Sequence, residues 1–381
     1  MSYLVLETAA GTGSGQVARA LRPAPFGVFR LVLALLVLLQ HAAAQVAPPV
    51  LRQAVGPLEP GSIAVFMFFV LSGYIIAEAG EHIYSGRPVA FLANRLLRIV
   101  PTYLVGLAIM VAVSAAILAS GRAMPVVDAA PLFLDHLTSP GFYLANILAL
   151  VPFGRALIDP AQPIVIGIIW AVRVELLFYL LFFGALAVAT YARLPIGRVL
   201  AVLGGGAMAL WLMTAGSGGV FSNAPFFVLG VAAQQLPRSG EGSGRQLQVT
   251  LAFMAVALAA ALWQLAAMPA PIAGTDLVRQ TPQQIGLFLS LLATFGFLAT
   301  VPFDGASALG RLDRRLGELT YPLYINHMLV VTLLLAFVPL PNLAGFAAAM
   351  VGGIAVPAAI AALSEPAIGR LRDMVRGRRL G

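Results

Sequence analysis

Apolar residues in this chain come in long runs rather than in helical stripes or alternating strands. Ten runs are long enough to cross hydrocarbon, which takes about 20 residues each. They lie at 27–47, 61–80, 100–119, 163–187, 194–213, 219–236, 248–268, 283–301, 319–338 and 343–363. A β-barrel would show alternating segments of about ten residues instead. The pattern predicts an all-α polytopic membrane protein with about ten transmembrane helices. One more apolar piece, "PLFLDHLTSPGFYLANILALVPF" at 131–153, is broken by Pro140-Gly141. It is expected to be a re-entrant or interfacial segment rather than an eleventh span.

Composition agrees: of 381 residues 60% are apolar and only 10% charged, where a soluble domain would be roughly a quarter charged. The net charge is +8, carried by 23 arginines and no lysine. In a soluble protein this would suggest nucleic acid; here the arginines lie between spans, where they set topology, and no nucleic-acid partner is expected. With both termini cytosolic, 18 of the 23 arginines fall on the cytosolic side; Arg52, Arg122, Arg155, Arg173 and Arg279 are external or buried. The chain has no cysteine, which excludes disulfides and thiol catalysis. The first 26 residues lack a signal peptide's apolar core and read as a cytosolic tail, and 367–381 as a basic cytosolic one.

Against this background the ionisable residues inside spans stand out. Arg30 and His41 are eleven residues apart, three helical turns plus about 20°, so they share a face. They are roughly 16 Å apart along the axis, which puts the arginine near one boundary and the imidazole well inside the bilayer. A titratable group at that depth faces a polar cavity or a partner. His41 is either a catalytic group or a hydrogen bond to a neighbouring helix. Ser72-Gly73 makes a small polar notch in the second span, suited to close packing. Arg95 and Arg98, at i and i+3, fit either a topology anchor or a clamp for phosphates.

The fourth span carries Arg173 and Glu175 in "WAVRVELLFY", with Tyr179 one turn on and Trp170 before them. The pair is either structural or includes a carboxylate that serves an imidazole. The ninth span holds Tyr324 and His327 at i, i+3; for His327 a structural and a catalytic part fit equally. His82 and His136 fall near interfaces. No metal is expected.

The order of these motifs resembles the membrane-bound acyltransferase-3 family of integral membrane O-acyltransferases. The resemblance covers nearly the whole chain. It rests on Arg30 and His41, "FFVLSGY" at 68–74, "RLLRIVPTYL" at 95–104, "WAVRVELLFY" at 170–179, "YPLYINH" at 321–327 and "SEPAIGRLR" at 364–372. It implies a transmembrane acyltransferase domain over 27–366 in a bacterial inner (plasma) membrane. The implied reaction takes an acyl group, usually acetyl, from cytosolic acyl-CoA to a hydroxyl of a glycan or lipid-linked glycan. It also implies His41, Glu175 and Arg30 as the catalytic set and Arg95 and Arg98 as the CoA-binding pair. Ser72, Trp170, Arg173, Tyr179, Tyr324 and His327 are the expected supporting residues. The chain departs from the family at Phe66, where an acid is common, at Ala171, where a serine is usual, and at Glu365-Pro366, which lacks an intervening residue. A stand-alone membrane form is expected. A transporter or flippase using His41, Glu175 and Arg173 as a proton relay is the rival, and it leaves Arg95 and Arg98 without a role.

Overall fold

The computed structural model describes residues 24–124, 132–157, 159, 162–214, 220–236, 244–269, 272, 276–339 and 341–375. Its elements are helices throughout. The first span is α1 (Phe26–Gln45), followed by a short α2 (Pro49–Val55), then α3 (Pro60–His82) and α4 (Pro88–Ala119). Next come α5 (Pro140–Leu148), α6 (Ile169–Tyr191), α7 (Ile196–Thr214), α8 (Ala224–Gln234) and α9 (Gly244–Ala266). The chain closes with α10 (Thr281–Thr300), α11 (Ala308–Phe337) and α12 (Leu343–Val375). Among the described residues, nine helices are long and apolar enough to cross a membrane, so this is a multi-pass helical membrane protein.

The tenth run, 219–236, forms only the eleven-residue α8. Its rise is about 16 Å, half of a ~30 Å hydrocarbon core. The helix begins late because Pro225 sits in its first turn, where a proline is tolerated but cannot continue a helix already under way. α8 is nevertheless a full leg of the bundle. Phe226 stacks on Phe66, Phe227 on Phe69, and Gln234 bonds Glu78 and Glu81, so α8 runs parallel to α3. A Cβ on Gly230 would run into the Val70 carbonyl, which shows how closely the two backbones cross. Short as it is, α8 reverses the chain, and Asn223, Ala224 and Gln234 at its ends are buried.

The alternation of legs is confirmed at the other end of the sequence. The backbone N–H groups of Gly27 and Val28 donate to Oδ2 and Oδ1 of Asp313 at 2.9 and 2.8 Å. Fourteen residues further along both helices, His41 meets His327. α1 and α11 therefore lie side by side and parallel, as first and ninth of ten alternating legs. As a consequence Arg30, Arg87, Arg95, Arg98, Arg193, Arg198, Arg245, Arg311, Arg314, Arg315 and Arg370 all gather at one end of the bundle, the arginine-rich end. Arg52, Arg122 and Arg279 stand at the opposite, far end.

The broken piece at 131–153 does not cross. From Leu132 on it is a 3₁₀ turn at Leu134–Thr138 and the nine-residue α5; Pro131 lies outside the described residues. Its buried Asn146 organises the irregular backbone that precedes α6. Its Nδ2 donates to the Phe142 and Pro163 carbonyls, and its Oδ1 accepts from Val165 N–H at 3.0 Å. Tyr103 in turn donates to the Asn146 carbonyl at 2.6 Å.

The expected tails lie mostly outside the described residues, at 1–23 and 376–381. α12 continues through Pro357 and Pro366 as one helix to Val375, so the stretch expected as the start of a tail is helical.

Candidate active site

α1, α3, α4, α6 and α11 line a cavity of about 80 Å³ toward the arginine-rich end. This is room for several water molecules, since one needs roughly 10–15 Å³ on the same measure. Polar side chains facing it are Arg30 from α1, Ser72 from α3, Arg95 and Arg98 from α4, Glu175 and Tyr179 from α6, and Thr320, Tyr321 and Tyr324 from α11. Phe68, Phe69, Ile75 and Val172 supply much of the apolar wall.

Each group is placed by its helix. Glu175 Oε1 accepts from Ser72 Oγ at 2.6 Å and from the Tyr179 hydroxyl one turn along α6. The carboxylate expected to serve an imidazole is thus held by two hydroxyls. The guanidinium of Arg95 lies 5.5 Å from the ring centres of both Phe91 and Tyr179, packed between aromatic faces. Arg95 Nε and Thr320 Oγ1 are buried with no hydrogen-bond partner among the described residues. A buried donor left unpaired is costly, and in a cavity lined by three arginines and one carboxylate it suits an anionic ligand. Arg30 reaches across α11 where Gly317 leaves it room.

His41 lies outside this cavity. Its Nδ1 is 2.9 Å from the Val37 carbonyl and 3.3 Å from Nε2 of His327, which is fully buried. Nδ1 of His327 is 3.0 Å from the Leu323 carbonyl. A carbonyl can only accept, so each ring carries its proton on Nδ1. In its neutral form His41 then has a bare Nε2, the nitrogen able to take up a proton. Tyr324 links the pair to the cavity. Its ring stands edge-on to Phe68 at 6.5 Å and to His327 at 6.4 Å, and its hydroxyl donates to the Ile168 carbonyl at 3.0 Å.

The structure therefore brings Arg30, Arg95, Arg98, Ser72, Glu175, Tyr179 and Tyr324 around one space, and joins His41 to His327 beside it. Trp170 and Arg173 do not line the cavity. Trp170 is 39% exposed with its ring edge-on to Phe69. The sequence reading did not single out Thr320, Tyr321 or Asp313. The first could have been found from its spacing, since Thr320 is one turn before Tyr324.

Parallel α1 and α11, an arginine-lined cavity and an imidazole pair beside it belong to a multi-pass helical membrane protein. The chain belongs to the acyltransferase-3 family, whose acyltransferase domain matches residues 26–362. It is 30% identical over 136 residues to the exopolysaccharide production protein ExoZ of Rhizobium meliloti (strain 1021). That alignment takes in 36% of this chain and 38% of the relative. It is 35% identical over 96 residues to protein 2 in the picA locus of Rhizobium radiobacter, 24% of this chain and 48% of that protein. The aligned portions thus span under half the length of either relative. No solved structure matches the chain.

Proposed function

We propose that this membrane acyltransferase takes an acyl group, acetyl first among the candidates, from acyl-CoA bound at the arginine-rich end. The acceptor is a hydroxyl of a glycan or lipid-linked glycan reached from the far end. One observation carries the reading: Arg30, Arg95 and Arg98 converge on one cavity, in which a buried donor of Arg95 has no partner among the described residues. Phosphates of CoA are the anions such donors suit. Arg30 and His41 are roughly 16 Å apart along α1, a span that an extended pantetheine arm can bridge.

Placing the arginine-rich end in the cytosol of a bacterial inner membrane follows the positive-inside rule and puts the donor where CoA is made. The chemistry then falls to His41. Its Nε2 takes the proton of the acceptor hydroxyl while the oxygen bonds to the acyl carbon. The C–S bond breaks, and CoA leaves as a thiol with that proton. The partial likeness to an exopolysaccharide production protein supports a glycan acceptor.

The test is calorimetric binding of acetyl-CoA to the purified protein in lipid nanodiscs, beside the Arg95→Gln/Arg98→Gln double variant. The expected result is a loss of at least ten-fold in affinity. Equal affinity would leave the two arginines as topology anchors and remove the support for a CoA site.

A further inference from the structure

The two imidazoles stand at the same register on parallel helices, and the direction of their hydrogen bond is fixed by their other contacts. Val37 and Leu323 are the i−4 carbonyls of His41 and His327, so each already accepts the backbone N–H of the residue whose ring it meets. Those two contacts put the proton of each ring on Nδ1. They leave Nε2 of neutral His327 bare, 3.3 Å from Nδ1 of His41, whose N–H it can accept. If His327 carried a proton on Nε2, two donors would face each other. His327 is 0% exposed, so its lone pair has no solvent to turn to.

We propose that His327 is the positioning residue for His41, a second, neutral acceptor that shares the Nδ1–H of His41 with the Val37 carbonyl and so steadies the ring whose bare Nε2 is the base. The arrangement has the logic of a catalytic triad, in which a third group accepts the far N–H of the imidazole and fixes its tautomer and orientation. Here the third group is an uncharged ring, which avoids burying a carboxylate in hydrocarbon. When His41 takes the acceptor's proton on Nε2, the positive charge that appears on its ring is met at Nδ1 by the lone pair of His327. No proton leaves the pair: it is returned from Nε2 of His41 to the departing thiolate. The role rests on the acyl-transfer reading above; the hydrogen-bond arrangement itself does not.

Two substitutions separate an acceptor from a packing role. His327→Gln keeps an oxygen near the position of Nε2, whereas His327→Leu keeps the volume without an acceptor. In membranes of the producing cell supplied with labelled acetyl-CoA, His327→Gln is expected to stay within about ten-fold of wild type. His327→Leu is expected to lose about 100-fold or more in kcat, the scale of a general base, with KM for acetyl-CoA unchanged. A leucine variant as active as the glutamine variant, or a glutamine variant as inactive as leucine with both folded, overturns the proposal. A readout free of turnover is ¹⁵N-histidine NMR of the protein in nanodiscs. The neutral His41 ring should carry its proton on Nδ1, and its signals should change in His327→Leu but not in His327→Gln. A proton on Nε2 of His41, or signals unmoved in His327→Leu, would overturn the positioning role even in a protein that turns over no acetyl-CoA.

Discussion

Gly317 of α11 lies directly against the guanidinium of Arg30 of α1. A Cβ at 317 would collide with Nη2 of Arg30 and come within 2.9 Å of Gly27 Cα. The glycine is therefore what lets a long cationic side chain pass between two helices in contact. Gly317→Ala is expected to push the guanidinium out of the cavity and lower acyl transfer about 10- to 100-fold, the scale of an ångström-sized misplacement. The accompanying stability loss is about 1–3 kcal/mol. Transfer assays beside thermal unfolding in detergent check this; wild-type transfer would separate Arg30 from the site.

A second prediction concerns the hydroxyls on Glu175. Ser72→Ala removes the 2.6 Å bond to Oε1 but leaves that of Tyr179. The loss should be modest, about 0.5–1.5 kcal/mol in stability, because one hydrogen bond is lost while Oε1 keeps the other. Ser72→Ala together with Tyr179→Phe strands it. The double variant should lose more than the sum of the singles in a double-mutant cycle. Additive losses would mean that the two hydroxyls do not share Glu175.

The α3–α8 crossing makes a third prediction. Gly230→Ala places a methyl into the backbone of α3 at Val70 and Tyr74, where neither side can yield by rotating a side chain. Its cost should reach or exceed the upper part of the ~1–3 kcal/mol range for overpacking. The measurable result is a lower yield of folded protein from membranes and a lower unfolding temperature. An unchanged unfolding temperature would mean the helices are not in contact there.

This crossing also shows how far the sequence could be read. The long spans were legible because a run of about 20 apolar residues has no other use than to cross a bilayer. The run at 219–236 is as apolar as its neighbours, and what shortens it is local: Pro225 delays the helix to Ala224, and burial against α3 lets a short leg stand in for a span. Arg30 and Glu175 were legible because charge inside spans is expensive; Arg95 and Arg98, just ahead of the third run, were legible from their i, i+3 spacing and from the motif they share with the family. The pairing of His41 with His327 was not, since it depends on α1 and α11 packing in parallel 286 residues apart. Its trace in the sequence is one repeated interval: Gly27 to His41 and Asp313 to His327 are both fourteen residues, four helical turns.

Asn146 gives a fourth prediction. Asn146→Leu leaves Val165 N–H without its acceptor and should cost about 1–3 kcal/mol. Because Tyr324 donates to Ile168, three residues further along the same segment, transfer should fall as well. Hydrogen exchange at the Val165 amide reads this out. Protection equal to wild type would show that Asn146 does not hold the segment.

The central claim, acyl transfer from CoA with His41 as the base, is tested most directly by turnover. Wild type and His41→Ala are compared in membranes of the producing cell given labelled acetyl-CoA, with label in the glycan or lipid fraction as the readout. The account predicts labelled product from wild type and a loss of about 10²–10⁴ in the variant, the contribution expected of a positioned base, at equal levels of folded protein. Equal labelling by wild type and His41→Ala would contradict it.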